Sequence, residues 1–139
     1  MQNVKIIVDT NVLMSGVFFG GMPKAIVSLV IGNQLKCYTS FTLVAEYRKT
    51  YEKMKRHWFK PESQMALDSF IANAILVFPS STINICRDED DNKFIECAVD
   101  CDADYIITGD KDLLVLEKYN DIEIITPKEF LDLYNCEIS

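Results

Sequence analysis

Short apolar runs alternate with longer stretches of helical period along this chain. Val4–Val8 is apolar except for Lys5 and runs straight into polar residues, which predicts a buried parallel strand. Pro23 suits the first turn of a helix running to about Ile31, where Gly32-Asn33 ends it. Leu35–Thr39 reads as a second strand. Ser40 or Thr42 would then cap a long helix carrying Leu43, Val44, Tyr47, Tyr51 and Met54 at helical spacing. Pro61-Glu62 opens a further helix whose apolar face holds Met65, Leu67, Phe70, Ile71 and Ala74.

Ile75–Phe78 is a short extended stretch stopped by Pro79, and Asn92–Cys101 is helical, burying Phe94, Ile95, Ala98 and Val99. Tyr105–Thr108 reads as a strand, Asp110–Lys118 as a short helix and Ile122–Ile125 as another strand. Thr126-Pro127-Lys128-Glu129 is a capping box with proline at the first helical position, so a last helix follows. Strands alternating with helices predict an α/β fold with a parallel sheet covered on both faces. With no repeat, low-complexity stretch or linker, residues 1–139 read as one domain. In such sheets, ligands bind outside the carboxyl ends of the strands.

Composition narrows the class. No apolar run reaches the roughly 18 residues of a membrane span. The N-terminal MQNVKIIVD lacks a signal peptide's basic, apolar and cleavage regions. The five cysteines (Cys37, Cys86, Cys97, Cys101 and Cys136) form no CxxC pair and read as reduced, mostly buried thiols of a cytoplasmic protein. The net charge of −7 opposes a nucleic-acid partner in sum, but the charges are unevenly spread. Ten of the 21 acids lie between Asp88 and Asp112, whereas Arg48, Lys49, Lys53, Lys55, Arg56 and Lys60 crowd one short segment. Alone, the basic run is a solvated helix face and the acidic block a surface loop.

The acids acquire meaning through their places. Asp9 follows the first strand in VDTN, and Asp110 follows Tyr105–Thr108 in TGDKD, so both project at one edge of the sheet. Glu46 lies early in the helix after the second strand, and Asp91 begins the helix that leads back to Tyr105–Thr108. Singly, each has a plain role as a turn former, helix cap or solvent-facing residue. Together they would repel one another unless a hard divalent cation such as Mg²⁺ or Mn²⁺ intervened. Such an ion activates water at a phosphodiester without a nucleophilic side chain. The single histidine, His57, lies in the basic segment away from every strand end.

Other motifs are incomplete. Asp88–Asn92 lacks the glycine and closing Glu of a calcium loop, Gly20-Gly21 lacks the Lys-Ser/Thr of a P-loop, and no Ser or Cys has an adjacent His. Trp58 and Phe59, beside the basic run, either anchor the helix end or stack on bases.

VDTNVLMSG, a Glu in the helix after the second strand, DEDDNKFIECAVDCDADYIITGDKDLL and IITPKEFL together resemble the PIN-domain family. Within it they resemble the branch of VapC-like toxin ribonucleases from bacterial toxin–antitoxin pairs. The resemblance implies a three-layer α/β/α sandwich and metal-dependent cleavage of RNA. Its acidic quartet falls on Asp9, Glu46, Asp91 and Asp110, with Asp112 as an accessory metal ligand and Asp88 as a weaker helper. Asn11 and Thr108 match the family's supporting polar residues. On this reading Arg48, Lys49 and Lys53 contact the RNA backbone. A homodimer and a cognate antitoxin are the expected protein partners.

Three rival readings share some of these features. A haloacid-dehalogenase-type phosphatase needs a second Asp where this chain has Asn11. A phospho-receiver domain needs an Asp ending a middle strand, where Leu35–Thr39 runs into Ser40. A non-catalytic RNA-binding scaffold would keep the fold without turnover.

Overall fold

A computed structural model describes residues 3–138. β1 (Lys5–Val8) leads into α1 (Thr10–Phe18) and α2 (Gly21–Ile31), and β2 (Lys36–Thr39) into α3 (Phe41–Trp58) and α4 (Pro61–Asn73). After β3 (Ile75–Leu76) come a long loop, a 3₁₀ turn (Glu89–Asp91) and α5 (Asn92–Cys101). β4 (Tyr105–Ile107), α6 (Lys111–Leu114), β5 (Lys118–Tyr119), β6 (Ile122–Ile125) and α7 (Pro127–Ile138) complete the chain.

The sheet order is β3-β2-β1-β4-β6-β5, parallel except for the β5–β6 pair, and seven helices flank it among the described residues. This is the expected α/β sandwich, with one antiparallel edge strand added. Ile6, Ile7 and Val8 of the central strand are wholly buried, as are Ile106 and Ile107 of β4. Burial on both faces is why these strands read as continuous apolar runs. The chain winds outward from β1 to β2 and β3, then returns to place β4 on the other side of β1. The β1–β4 boundary is therefore the point where strand order reverses, and a crevice opens beyond it.

Several boundaries differ from the sequence reading. α1 was not foreseen, because its VLMSGVF stretch is apolar nearly all round and six of those seven residues are buried. α2 begins at Gly21, two residues before Pro23. Proline is tolerated there because first-turn N–H groups have no helical partner. Gly20 and Gly21, with φ of 143° and 69°, turn the chain between two helices inclined at 94°. The expected helix Asp110–Lys118 stops after one turn at Leu114. Glu117 and Asn120 adopt left-handed conformations (φ 61° and 53°), and residues 118–119 double back onto β6 instead. Ser40, not Thr42, caps α3, accepting from the Leu43 N–H at 3.2 Å. The capping box at Thr126–Glu129 forms reciprocally, both backbone bonds being 3.1 Å.

Among the described residues, no single helix is long and apolar enough to cross a membrane. Cys37, Cys97 and Cys101 are buried, Cys86 is partly so and Cys136 is exposed. Burial pushes the Cys97 thiol up to about 12. That keeps it protonated and inert as a nucleophile.

Candidate metal centre

Adjacent strands deliver the first two acids. Val8 pairs with Ile107 across β1 and β4, so Asp9 and Thr108 leave the sheet side by side. The Asp9 N–H extends the ladder to the Ile107 carbonyl at 3.0 Å. The Asp9 carboxylate caps α1, accepting from the N–H groups of Asn11 (2.7 Å) and Val12 (3.1 Å), and its other oxygen accepts from the Thr108 hydroxyl. The Thr108 hydroxyl oxygen in turn accepts from the Asp110 N–H at 2.9 Å. Asp110 caps α6 through the Asp112 N–H at 2.9 Å. Thr108 thus ties both acidic loops together. Tyr47 of α3 also donates to the Val8 carbonyl at 2.5 Å, fixing that helix to the end of β1.

Asp91 arrives from the opposite side. It occupies the N-cap position of α5, yet its side chain makes no capping hydrogen bond. It is only 7% exposed, and its Oδ2 is buried with no hydrogen-bond partner. Carboxylate oxygens of Asp88, Asp91 and Asp112 lie within 4.8 Å of one another. Burial first, then the carboxylates of Asp110, Asp88, Asp9 and Asp112, push the Asp91 carboxyl up to about 7. Burial also raises Asp9, outweighing its hydrogen bonds from Thr108, Val12 and Asn11, and Asp110 adds in the same direction. Five aspartates therefore share one electrostatic neighbourhood.

Such a cluster can hold a divalent cation. A buried carboxylate oxygen without a donor is unfavourable by itself, and an all-oxygen donor set suits a hard ion that retains some waters. The residues present fit that role.

Glu46 reaches this end of the sheet by another contact. Its carboxylate accepts from the hydroxyl of Thr10, the residue after Asp9, and forms an ion pair with Lys93 of α5. Two cations at the centre were missed by sequence reasoning: Lys93, and Arg87, which lies 3.6 Å from Asp112. The basic run on α3 is elsewhere engaged or exposed. Arg48 pairs with Asp68 of α4 at 3.3 Å, while Lys49 and Lys53 face solvent one turn apart. Asn11 is exposed at the mouth of the site and offers its backbone N–H, not its amide, to Asp9.

Also missed was how the acidic loop is held. Asn92, Glu96 and Asp100 recur at every fourth position of α5, and each accepts backbone N–H groups from the loop preceding the 3₁₀ turn. Asp100 takes Ser80 (3.0 Å) and Ser81 (3.1 Å), Glu96 takes Ile83 (2.8 Å), and Asn92 takes Ile85 (3.2 Å) and Cys86 (2.9 Å). The i, i+4, i+8 spacing was visible, but its partners carry no sequence pattern.

A family model for the PIN domain matches residues 5–112, which include every one of these acids. The chain belongs to the PIN-domain family. An uncharacterized protein of Methanocaldococcus jannaschii is similar to it, 35% identical over 148 aligned positions that cover 98% of this chain and 95% of the relative. The PIN domain is a nuclease-type fold, and in this member the acidic centre stands at the point where strand order reverses.

Proposed function

We propose that this protein is an endoribonuclease dependent on Mg²⁺ or Mn²⁺, acting in the cytoplasm on single-stranded or structured RNA. The observation that carries the reading is the buried, unpartnered Oδ2 of Asp91 in a cluster with Asp88 and Asp112. Asp88, Asp91 and Asp112 would hold the ion, with Asp9 and Asp110 completing the acidic surroundings and Glu46 at the margin. When bound, the ion supplies water activation and neutralisation of charge on the phosphodiester. The chain's own part is orientation. Thr108 fixes Asp9, Asp110 is fixed by the capping bond of α6, and Lys93 stands ready to exchange Glu46 for a phosphate oxygen. Lys49 and Lys53 would meet the RNA backbone farther along α3, with Arg48 joining them on release from Asp68.

The family branch suggested by the sequence makes this protein the toxin of a toxin–antitoxin pair, blocked by a cognate antitoxin and working as a homodimer. An exposed apolar patch is compatible with a protein contact. Phe19 and Trp58 meet edge to face at 5.3 Å, and both are about half exposed, as are Phe59 and Met22. The second reading is an RNA-binding scaffold without turnover, favoured by the Lys93–Glu46 pair, which commits one acid to a protein cation.

The deciding experiment incubates purified protein with labelled RNAs in Mn²⁺, Mg²⁺ or EDTA, beside Asp91→Asn. Cleavage abolished by both EDTA and the substitution supports the nuclease. RNA binding without cleavage in either metal supports the scaffold.

A further inference from the structure

A cleft of about 480 Å³ opens beside the acidic centre, between α1, the start of α2, the β4–α6 loop and the start of α7. Val12, Pro23 and Pro127 give it apolar walls, Asn11 and Ser15 give it polar groups, and Asp110 belongs to both the cleft and the acidic cluster. Neither the Asn11 amide nor the Ser15 hydroxyl is engaged in a hydrogen bond among the described residues. Among the described residues, the lining contains no lysine or arginine, and its one charged wall is a carboxylate. A bare phosphate would be repelled there, whereas a neutral group with hydrogen-bonding edges meets matching walls.

We propose that this cleft receives the nucleobase next to the scissile phosphate, an inference that rests on the ribonuclease reading. The geometry follows from Asp110. A phosphodiester held at the acids leaves its adjoining nucleoside within one residue's reach of the cleft. Proline rings at Pro23 and Pro127 would pack on the base faces, while Ser15 and Asn11 meet its edge. Volume and chemistry agree, since small-ligand sites are apolar-walled clefts of roughly 300–1,000 Å³ with a few placed polar groups. Gly109 lines the cleft, where a larger side chain has space to enter. A Cβ there would meet nothing within 4 Å, and the backbone does not need glycine's left-handed freedom.

The test replaces nucleotides around a mapped cut, one at a time, by abasic residues that keep the sugar and phosphate. Each RNA is then cleaved in Mn²⁺ by the native protein, by Ser15→Leu, which fills the cleft, and by Gly109→Val, which narrows its mouth. One abasic position beside the cut should raise KM by roughly tenfold, the order expected for losing one pocket contact. Either variant should raise KM for intact RNA similarly and lose sensitivity to that abasic position. Cleavage that persists with KM indifferent to every abasic position and both variants overturns the cleft assignment and leaves the ribonuclease reading standing. If no RNA is cut, amide signals of Ser15 and Gly109 decide. Shifts with intact but not abasic RNA uphold the base cleft on a non-cleaving protein, and no shift overturns it.

Discussion

The hydroxyl of Thr108 donates to the carboxylate of Asp9, joining the ends of β1 and β4 where the sheet reverses its winding. Because the same hydroxyl oxygen accepts from the Asp110 N–H, one buried side chain orients two acids of the centre. Thr108→Val keeps the shape and removes both bonds. Partners that orient metal ligands are typically worth 10–100-fold in affinity or activity. Mn²⁺ affinity, measured by calorimetry, should fall by about that range, and thermal unfolding should register a loss of about 1–3 kcal/mol. Unchanged Mn²⁺ affinity would remove Thr108 from the machinery.

Asp91 makes the metal-free protein sensitive to pH. Its carboxyl is raised from 3.8 to about 7, so the fold favours the protonated form. That contribution to stability is fully present below about pH 4, where folded and unfolded chains are both protonated, and is lost as pH rises through about 7. The cost on the alkaline side is at most a few kcal/mol, shared among the neighbouring carboxylates and reduced by solvent screening, and Asp9 acts in the same direction. In EDTA, the melting temperature should therefore drop between pH 5 and pH 8. Mn²⁺ should restore it, and Asp91→Asn should shrink the drop to the part that Asp9 contributes. A metal-free melting temperature that rises over this interval would contradict the assignment.

Lys93 neutralises Glu46 at the margin of the centre. Removing that cation in Lys93→Met should tighten Mn²⁺ binding by roughly fivefold, about 1 kcal/mol of charge repulsion relieved at a part-exposed site. RNA affinity should fall in the same variant, because a phosphate partner is lost. Weaker Mn²⁺ binding would place Lys93 in a purely structural role.

Asp100 holds the loop that carries Asp88 toward Asp91. Its carboxylate accepts from both the N–H and the hydroxyl of Ser80 and of Ser81, and these bonds hold its carboxyl below the usual range despite partial burial. Asp100→Ala should accelerate amide hydrogen exchange across residues 80–86 by at least about tenfold while α1 and β1 keep their protection. Mn²⁺ affinity should weaken with it, although Asp100 is no ligand. Loop exchange identical to that of the native protein would refute this.

Gly16 is where α1 and α2 touch. A Cβ there would lie 2.6 Å from Val27 Cγ2 and 2.9 Å from the Pro23 carbonyl oxygen. Gly16→Ala should cost about 1–3 kcal/mol, because the nearby backbone atom cannot swing aside. An unchanged melting temperature would mean that the helices part freely.

Much of this protein is written locally. The apolar runs at Val4–Val8 and Tyr105–Thr108 are legible because a strand buried on both faces has no polar alternation to dilute it. The cap at Ser40 and the box at Thr126–Glu129 are legible because their bonds join residues three apart. Asp9 and Asp110 could be placed at one edge because each directly follows a strand of a parallel sheet. What lay beyond the sequence depends on distant partners. Whether Asp91 caps its helix or stands bare in the centre is decided by the Asp88 and Asp112 loops. The engagement of Glu46 by Lys93, 47 positions away, and of Arg48 by Asp68 on another helix leaves no periodic trace. Charge meets charge through space, and only the assembled sheet, with its reversal between β1 and β4, sets which charges meet.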